Sequence, residues 1–221
     1  MTQPADMPPC SVRVAAGEPI APHLVEGAVV CLGAGTHAGP LTIDANLTLR
    51  GESGAILDGG GRGPVIRIDV DQLKVRVESL SIVHGFAEGG SGVALAAWSE
   101  LDVVACTFGD HQHAADGAGG TAMAVRGRLV LTGCTFGPGA ARGTDLVVTG
   151  AAMVEVEGGE FAGDVHAREG GQLTVRNAHV HGRLDLRGTT TRAPTVAVTG
   201  TVVDGGITND AVLPAKLTVT P

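Results

Sequence analysis

Tyrosine is absent from this chain, tryptophan occurs once, at Trp98, and phenylalanine four times, so aromatics make up only 2% of its 221 residues. Sugar-binding grooves usually present flat aromatic faces with a polar handle, and this sequence has few to offer. Lysine is nearly missing, with Lys74 and Lys216 alone. A formal charge of −8 argues against nucleic acid as a partner, and against polyanionic polysaccharide unless a bound cation screens the repulsion. No apolar run approaches the ~20 residues that a membrane helix needs, so no membrane partner is expected. The opening MTQPADMPPC has neither a basic n-region nor an apolar h-region. No signal peptide is therefore visible and a cytoplasmic location is expected, with export by another route left open. Four cysteines do not make a disulfide framework. Cys10 and Cys31 have room to approach each other near the N-terminus, yet a disulfide fits badly with an unexported chain.

What the chain does contain is glycine, 35 residues of it, and apolar residues in short alternating runs. That combination interrupts helices and favours many short strands joined by turns. It also contains a repeat. LDVVACTFG (101 to 109) returns as LVLTGCTFG (129 to 137), mapping Leu101 to Leu129, Val103 to Leu131, Cys106 to Cys134 and Phe108 to Phe136. Looser copies begin at Val75, Val154, Leu173, Val196 and Leu217, so the interval varies between 19 and 28 residues. Near-constant strands separated by variable loops are the mark of a solenoid. Shorter alternating segments such as GVALAA, TAMAVRG, DLVVTG and RLDLRG precede the copies, giving two strands and a turn per coil and a third strand too weak to place.

Side chains alternate between the faces of a strand, but repeat positions 1, 3, 6 and 8 change parity once. Each copy must therefore bend at the small residue between positions 3 and 6, for example Gly133, Gly158 or Gly200, where glycine tolerates the required backbone. Equivalent strands then stack in parallel at about 4.8 Å per coil. Cys106 and Cys134 become stacked free thiols in the core, and Phe108, Phe136 and Phe161 an aromatic column. The expected fold is all-β, a single parallel β-helix solenoid of about seven to eight coils over 28–221. Residues 1–27 form an N-terminal tail and small cap, with a strand near Ser11 to Ala15 and a short irregular or helical piece. No amphipathic helix closes the last coil, so its edge would recruit partners.

The stretch VVCLGAGTHAGPLTIDANLTLRGESGAILDGGG (29 to 61) resembles the opening coil of right-handed parallel β-helix proteins of the pectate-lyase-like superfamily. The resemblance implies a right-handed coil and, for the enzymes among its members, catalysis on the outward face of one long parallel sheet. It does not choose a function, since that fold hosts lyases, hydrolases, epimerases and adhesive modules. The polygalacturonase-type Asn-Thr-Asp, Asp-Asp and Gly-His-Gly set has no match here, and neither does the lyase trio of acids with its arginine.

Three groups of residues can carry chemistry. The repeat turns Glu155, Glu157 and Arg176 outward on adjacent coils, with two carboxylates about 6 to 7 Å apart, near the spacing of a glycosidase pair. The plainer explanation is a charge ladder, Glu157 with Arg176 and Arg76 with Asp102, of about 0.2–1 kcal/mol per pair. Arg76, Asp102 and Trp98 are the candidate binding residues. The third group lies in GDHQHAADGAGG (109 to 120), where Asp110, His111, His113 and Asp116 follow a strand end, and coil spacing sets His84 beside Asp110. Imidazole and carboxylate together suit Zn²⁺ or another first-row divalent ion. The plainer explanation is a solvated turn, because DHQH has no established ligand spacing. His179 and His181 flank an inward Val180 and point outward, with His166 expected beside them as a surface cluster.

The function expected from these readings is a non-catalytic binding or scaffolding module. Its partners are itself or another protein, through the open C-terminal coil or a flat sheet face, and a carbohydrate. The alternative is a polysaccharide-active lyase, hydrolase or epimerase. No cofactor is expected beyond a divalent metal at the histidine group.

Overall fold

The structure is a computed structural model that describes residues 8–87, 90–113, 120–137, 143–189, 191–210 and 215–221. It is a parallel β-solenoid of about eight turns, built as one ten-stranded and two eight-stranded sheets. Among the described residues the only helical element is a single 3₁₀ turn, Ala21–His23.

One coil shows how the sequence generates the rest. Lys74–Glu78 lies in the ten-stranded sheet, Ser81–Val83 in the second sheet and Val93–Leu95 in the third, before Glu100–Val104 returns to the first. There are thus three strands per coil. The repeat read as one bent strand is two strands in different sheets, and its change of parity is the corner between them. The corner residues Ser79, Ala105, Gly133, Gly158, Asn177 and Gly200 all have φ between 50° and 66°. This left-handed backbone costs an alanine about 1–2 kcal/mol, so at Ala105 the fold imposes the corner on a residue that disfavours it.

Registers are in phase along the axis. Leu101 pairs with Val75 and Leu129, and Leu129 with Val154. Val154 continues to Leu173, then Val196 and Leu217. These positions point inward with Val77, Val103, Leu131, Val156, Val175 and Val198, almost all inaccessible to solvent up to Val198. In the second sheet Phe108, Phe136 and Phe161 form the column, with ring centroids 4.5 and 4.7 Å apart and planes within 14°. The rings adopt the strand spacing itself. Cys106 and Cys134 are free and buried, and burial pushes the Cys106 thiol up to about 12, which keeps it protonated and unreactive.

Val12–Val14 is the first strand of the ten-stranded sheet and pairs with Val30 to Leu32. Cys10 and Cys31 are joined by a disulfide, contrary to the expectation from location. Arg13 lies opposite Cys31 in the register, so the residues just before Arg13 cross the outer face where the Cys31 side chain emerges. The loop geometry, not the number of cysteines, brings the sulfurs together. No helix among the described residues is long and apolar enough to cross a membrane.

Candidate functional site

A groove of about 770 Å³ lies at the corner where the third sheet turns into the ten-stranded one. It crosses several coils, from Gln72 and Trp98 past Gly127, Gly150, Ala151 and Gly170 to Arg192. Small corner residues leave its floor open. At Gly127 (φ 73°) a Cβ would stand 2.3 Å from the Ser99 carbonyl oxygen, so no side chain fits there. One wall is the first outward row of the ten-stranded sheet, Lys74, Glu100, Arg128, Met153 and Gln172.

Trp98 is 54% exposed at one end of this groove. Its turn is nevertheless fixed. The Trp98 N–H donates to Asp71 Oδ1 at 2.8 Å, and the Gln72 N–H donates to the Trp98 carbonyl at 2.8 Å. Beneath it the buried Ser99 hydroxyl accepts from Leu73 N–H at 2.9 Å and donates to the Val70 carbonyl at 2.6 Å. A rigid backbone thus carries an open indole face, with the exposed Met153 thioether farther along. The lining holds three cations, Lys74, Arg128 and Arg192, against one anion, Glu100, although the whole protein is acidic.

Two other outward carboxylates of the same sheet, Glu155 and Glu157, do not line this groove. Glu155 pairs with Arg128 at 3.2 Å. Glu157 is in register with Arg176, but its carboxylate accepts from Asn177 Nδ2 at 2.8 Å and no Glu157–Arg176 ion pair forms among the described residues. The expected ladder partner is displaced because Asn177, at the corner of the neighbouring coil, reaches the carboxylate first. Arg76 bonds Glu78 at 2.8 Å and approaches Asp102 at 3.9 Å. Arg76 and Asp102 border a smaller hollow of about 460 Å³ beside Pro8. Under Pro8 lies a buried pair, Arg50 Nε to Glu78 Oε1 at 2.5 Å, with Arg50 Nη1 also donating to the Pro8 carbonyl. Burial pushes the Glu78 carboxyl up, but Arg50 and Arg76 outweigh it and hold it below the usual range.

The histidine-rich insertion comes apart. His84 and Asp110 do follow paired strand ends, since Val83 is opposite Gly109, and both adopt left-handed backbone. His84, however, turns to Asp58 on the preceding coil, with Nδ1 3.1 Å from Oδ2. His111 turns inward and is 1% exposed. Its Nδ1 accepts from Gly85 N–H at 3.1 Å, and its Nε2 donates to the Ile82 carbonyl at 3.0 Å. Both ring nitrogens thus bind backbone, leaving no lone pair for a metal. A polar ring tucked under the extra strand pair Phe86–Ala87 and Gln112–His113 satisfies groups that the insertion would otherwise strand. His113 contributes backbone to that pair, and Asp116 lies outside the described residues.

His166 is not beside His179 and His181. It sits buried on the third sheet, with Nε2 3.8 Å from Asp164 and 3.7 Å from Asp185 and with Arg168 against Nδ1. Burial, and next the Arg168 charge, hold its pKa below the ordinary value. Asp145, close to Asp164, is fully buried. Its Oδ2 accepts from Gly163 N–H at 2.6 Å and its Oδ1 has no hydrogen-bond partner among the described residues. Burial, opposed by the Gly163 amide and aided by the Asp164 charge, raises its carboxyl to about 6. Sequence reasoning missed Asp145, Asp164 and Asp185 because their strands were read only for apolar alternation. It missed Met153, Gln172 and Arg192 because a groove along a corner joins residues about a coil apart. The signal available was the glycine at 127, 150 and 170, spaced like the coils themselves. In comparisons with known proteins, no family profile, no curated protein and no solved structure matches this chain.

Proposed function

We propose that the protein is a non-catalytic binding module whose corner groove holds an extended carbohydrate chain. The observation that carries this reading is the exposed Trp98 indole on a fixed turn at the end of an open groove that runs across the coils. An indole face stacks on the apolar face of a sugar ring, while Gln72, Lys74, Glu100, Arg128 and Gln172 offer hydrogen bonds to hydroxyls. The volume is within the range of small-ligand clefts. Glu155 and Glu157 do not line the groove and are engaged by Arg128 and Asn177, which favours binding over hydrolysis. The Cys10–Cys31 bond supports an oxidising compartment, because cytosolic thiol systems keep such pairs reduced. The reading includes kinship with right-handed β-helix proteins of the pectate-lyase-like superfamily, on the strength of the 29–61 resemblance and three parallel strands per coil. It also includes self-association along the edge strand Lys216–Thr220, whose five residues are all exposed.

Trp98 is the only tryptophan and there is no tyrosine, so intrinsic fluorescence reports directly on the groove. Titration with neutral and acidic oligosaccharides is expected to shift Trp98 emission saturably for at least one of them. Calorimetry with Trp98→Ala is expected to show affinity falling at least ~10-fold, the loss of one stacking contact of about 1.5 kcal/mol. No response to any glycan overturns the proposal. Release of new reducing ends or unsaturated products replaces it with the enzymatic alternative.

A further inference from the structure

The outward face of the second sheet brings two imidazoles and a carboxylate to one point. His179 and His181 are two apart on one face, flanking the buried Val180. Val180 pairs with Val203 on the next coil, which sets Asp204 beside His181. His179 Nε2 and His181 Nδ1 each lie 2.9 Å from the same oxygen, Asp204 Oδ2, and the two rings are 3.9 Å apart between centroids. All three side chains remain between about a third and a half exposed, so the point they share is open to solvent.

We infer that His179, His181 and Asp204 form a binding site for a first-row divalent cation, Zn²⁺ above all, that clamps the last coils of the solenoid together. The donor set is right for such an ion, as imidazole and carboxylate are its common protein ligands. The spacing is right as well. Metal bonds of about 2.1 Å set neighbouring ligand atoms roughly 3.0 Å apart at right angles and 3.4 Å apart in a tetrahedron. The two His–Asp204 separations of 2.9 Å are close to these values, and all three ligand atoms lie within 4.8 Å of one another. Three protein ligands leave the remaining positions to water. Glu160, exposed and in register one coil before His179, adds negative charge to the approach.

The site spans two coils, with the histidines on one and Asp204 on the next. An ion held there binds the folded coil pair and not the unfolded chain, so it raises stability with its concentration. The region gaining this support is the poorly covered end of the solenoid, where Val202, Leu217 and Val219 are all more than a third exposed.

The test is calorimetric titration of the untagged, metal-stripped full chain with Zn²⁺, with Co²⁺ absorption as a spectroscopic check and thermal unfolding as a second readout. One saturable site per chain is expected, with a Co²⁺ band that reports imidazole ligation. The melting temperature should rise with Zn²⁺ and fall back with chelator. His179→Ala and Asp204→Asn should each weaken binding at least ~10-fold, and His179→Ala with His181→Ala should abolish both the site and the thermal shift. His84→Ala, which removes the histidine paired with Asp58, should bind as wild type does. All four positions are at least partly exposed, and circular dichroism checks that each variant is folded. Absence of a saturable site in the wild type, equal binding by the double variant, or loss of binding in His84→Ala alone overturns the proposal.

Discussion

The two ends of the solenoid carry the same strand repeat in unlike surroundings. At the N-terminal end, the outer face of the ten-stranded sheet is covered by the segment around Pro8, fastened by Cys10–Cys31, over the buried Arg50–Glu78 pair. At the C-terminal end, Lys216–Thr220 is exposed along its whole length, and Val219, at an inward repeat position, is 58% accessible. The difference shows that inward-facing sequence pattern does not by itself bury a residue. Burial requires cover on both sides along the axis, by a coil or by a cap such as the one over Val14, which is 1% exposed in the first strand, so the value of a repeat position depends on where along the axis it falls.

The sharpest way to break this comparison is to truncate one apolar side chain in the middle of the solenoid and one in its last described strand. Phe136→Ala removes the middle ring of the column and should cost about 3–5 kcal/mol in denaturant unfolding. Val219→Ala should cost less than ~0.5 kcal/mol, like an ordinary surface change. Similar losses at both positions would mean that the last coil is buried in solution, as self-association through Lys216–Thr220 would produce. Replacing Cys10 and Cys31 by serine opens a loop of 21 residues and should cost about 2–4 kcal/mol. Hydrogen exchange should then show the Val12–Val14 strand becoming as labile as Lys216–Thr220. Unchanged protection there would mean that strand pairing alone secures the N-terminal end.

A smaller effect probes the region between the ends. Burial raises the Asp145 carboxyl to about 6 from an unfolded 3.8. A raised acid contributes stability that is complete below the unfolded value and is lost as pH rises through about 6. The loss at neutral pH is on the order of 2–3 kcal/mol. Asp145→Asn, which mimics the protonated acid, should therefore be more stable than wild type at pH 7.5 and nearly equal to it at about pH 3, below the unfolded value. His166 acts in the opposite sense. Its lowered value gives stability that is present above its unfolded value and lost as pH falls through the folded one. Comparing the variant with wild type at each pH isolates Asp145 from it. Equal stabilities at pH 7.5 would show that the Asp145 carboxyl is not raised above its unfolded value in the native state.

Much of the frame was legible in LDVVACTFG and LVLTGCTFG, because identical inward positions must stack if the strands do. Cys106 over Cys134 and the phenylalanine column followed directly. The third strand was hidden in plain sight, since a parity change looks the same in sequence whether a strand bends or ends. The site was much less legible. His111 sits in a polar run and reads as exposed, yet two backbone groups at Gly85 and Ile82 draw it inside. The Trp98 groove joins residues from Gln72 to Arg192, a separation over which no local pattern speaks.

The sequence by itself determined that this protein stacks parallel strands around an apolar interior, because periodicity and repeat length leave no other way to bury those side chains. Tertiary structure alone decided which polar side chains meet. His84 found Asp58 and not Asp110, Glu157 found Asn177 and not Arg176, and Cys10 found Cys31. Stacking fixes an axial register to within a residue, but a hydrogen bond or disulfide is made or lost over about 1 Å. That distance is set by corner backbone and loop length, which the repeat does not specify.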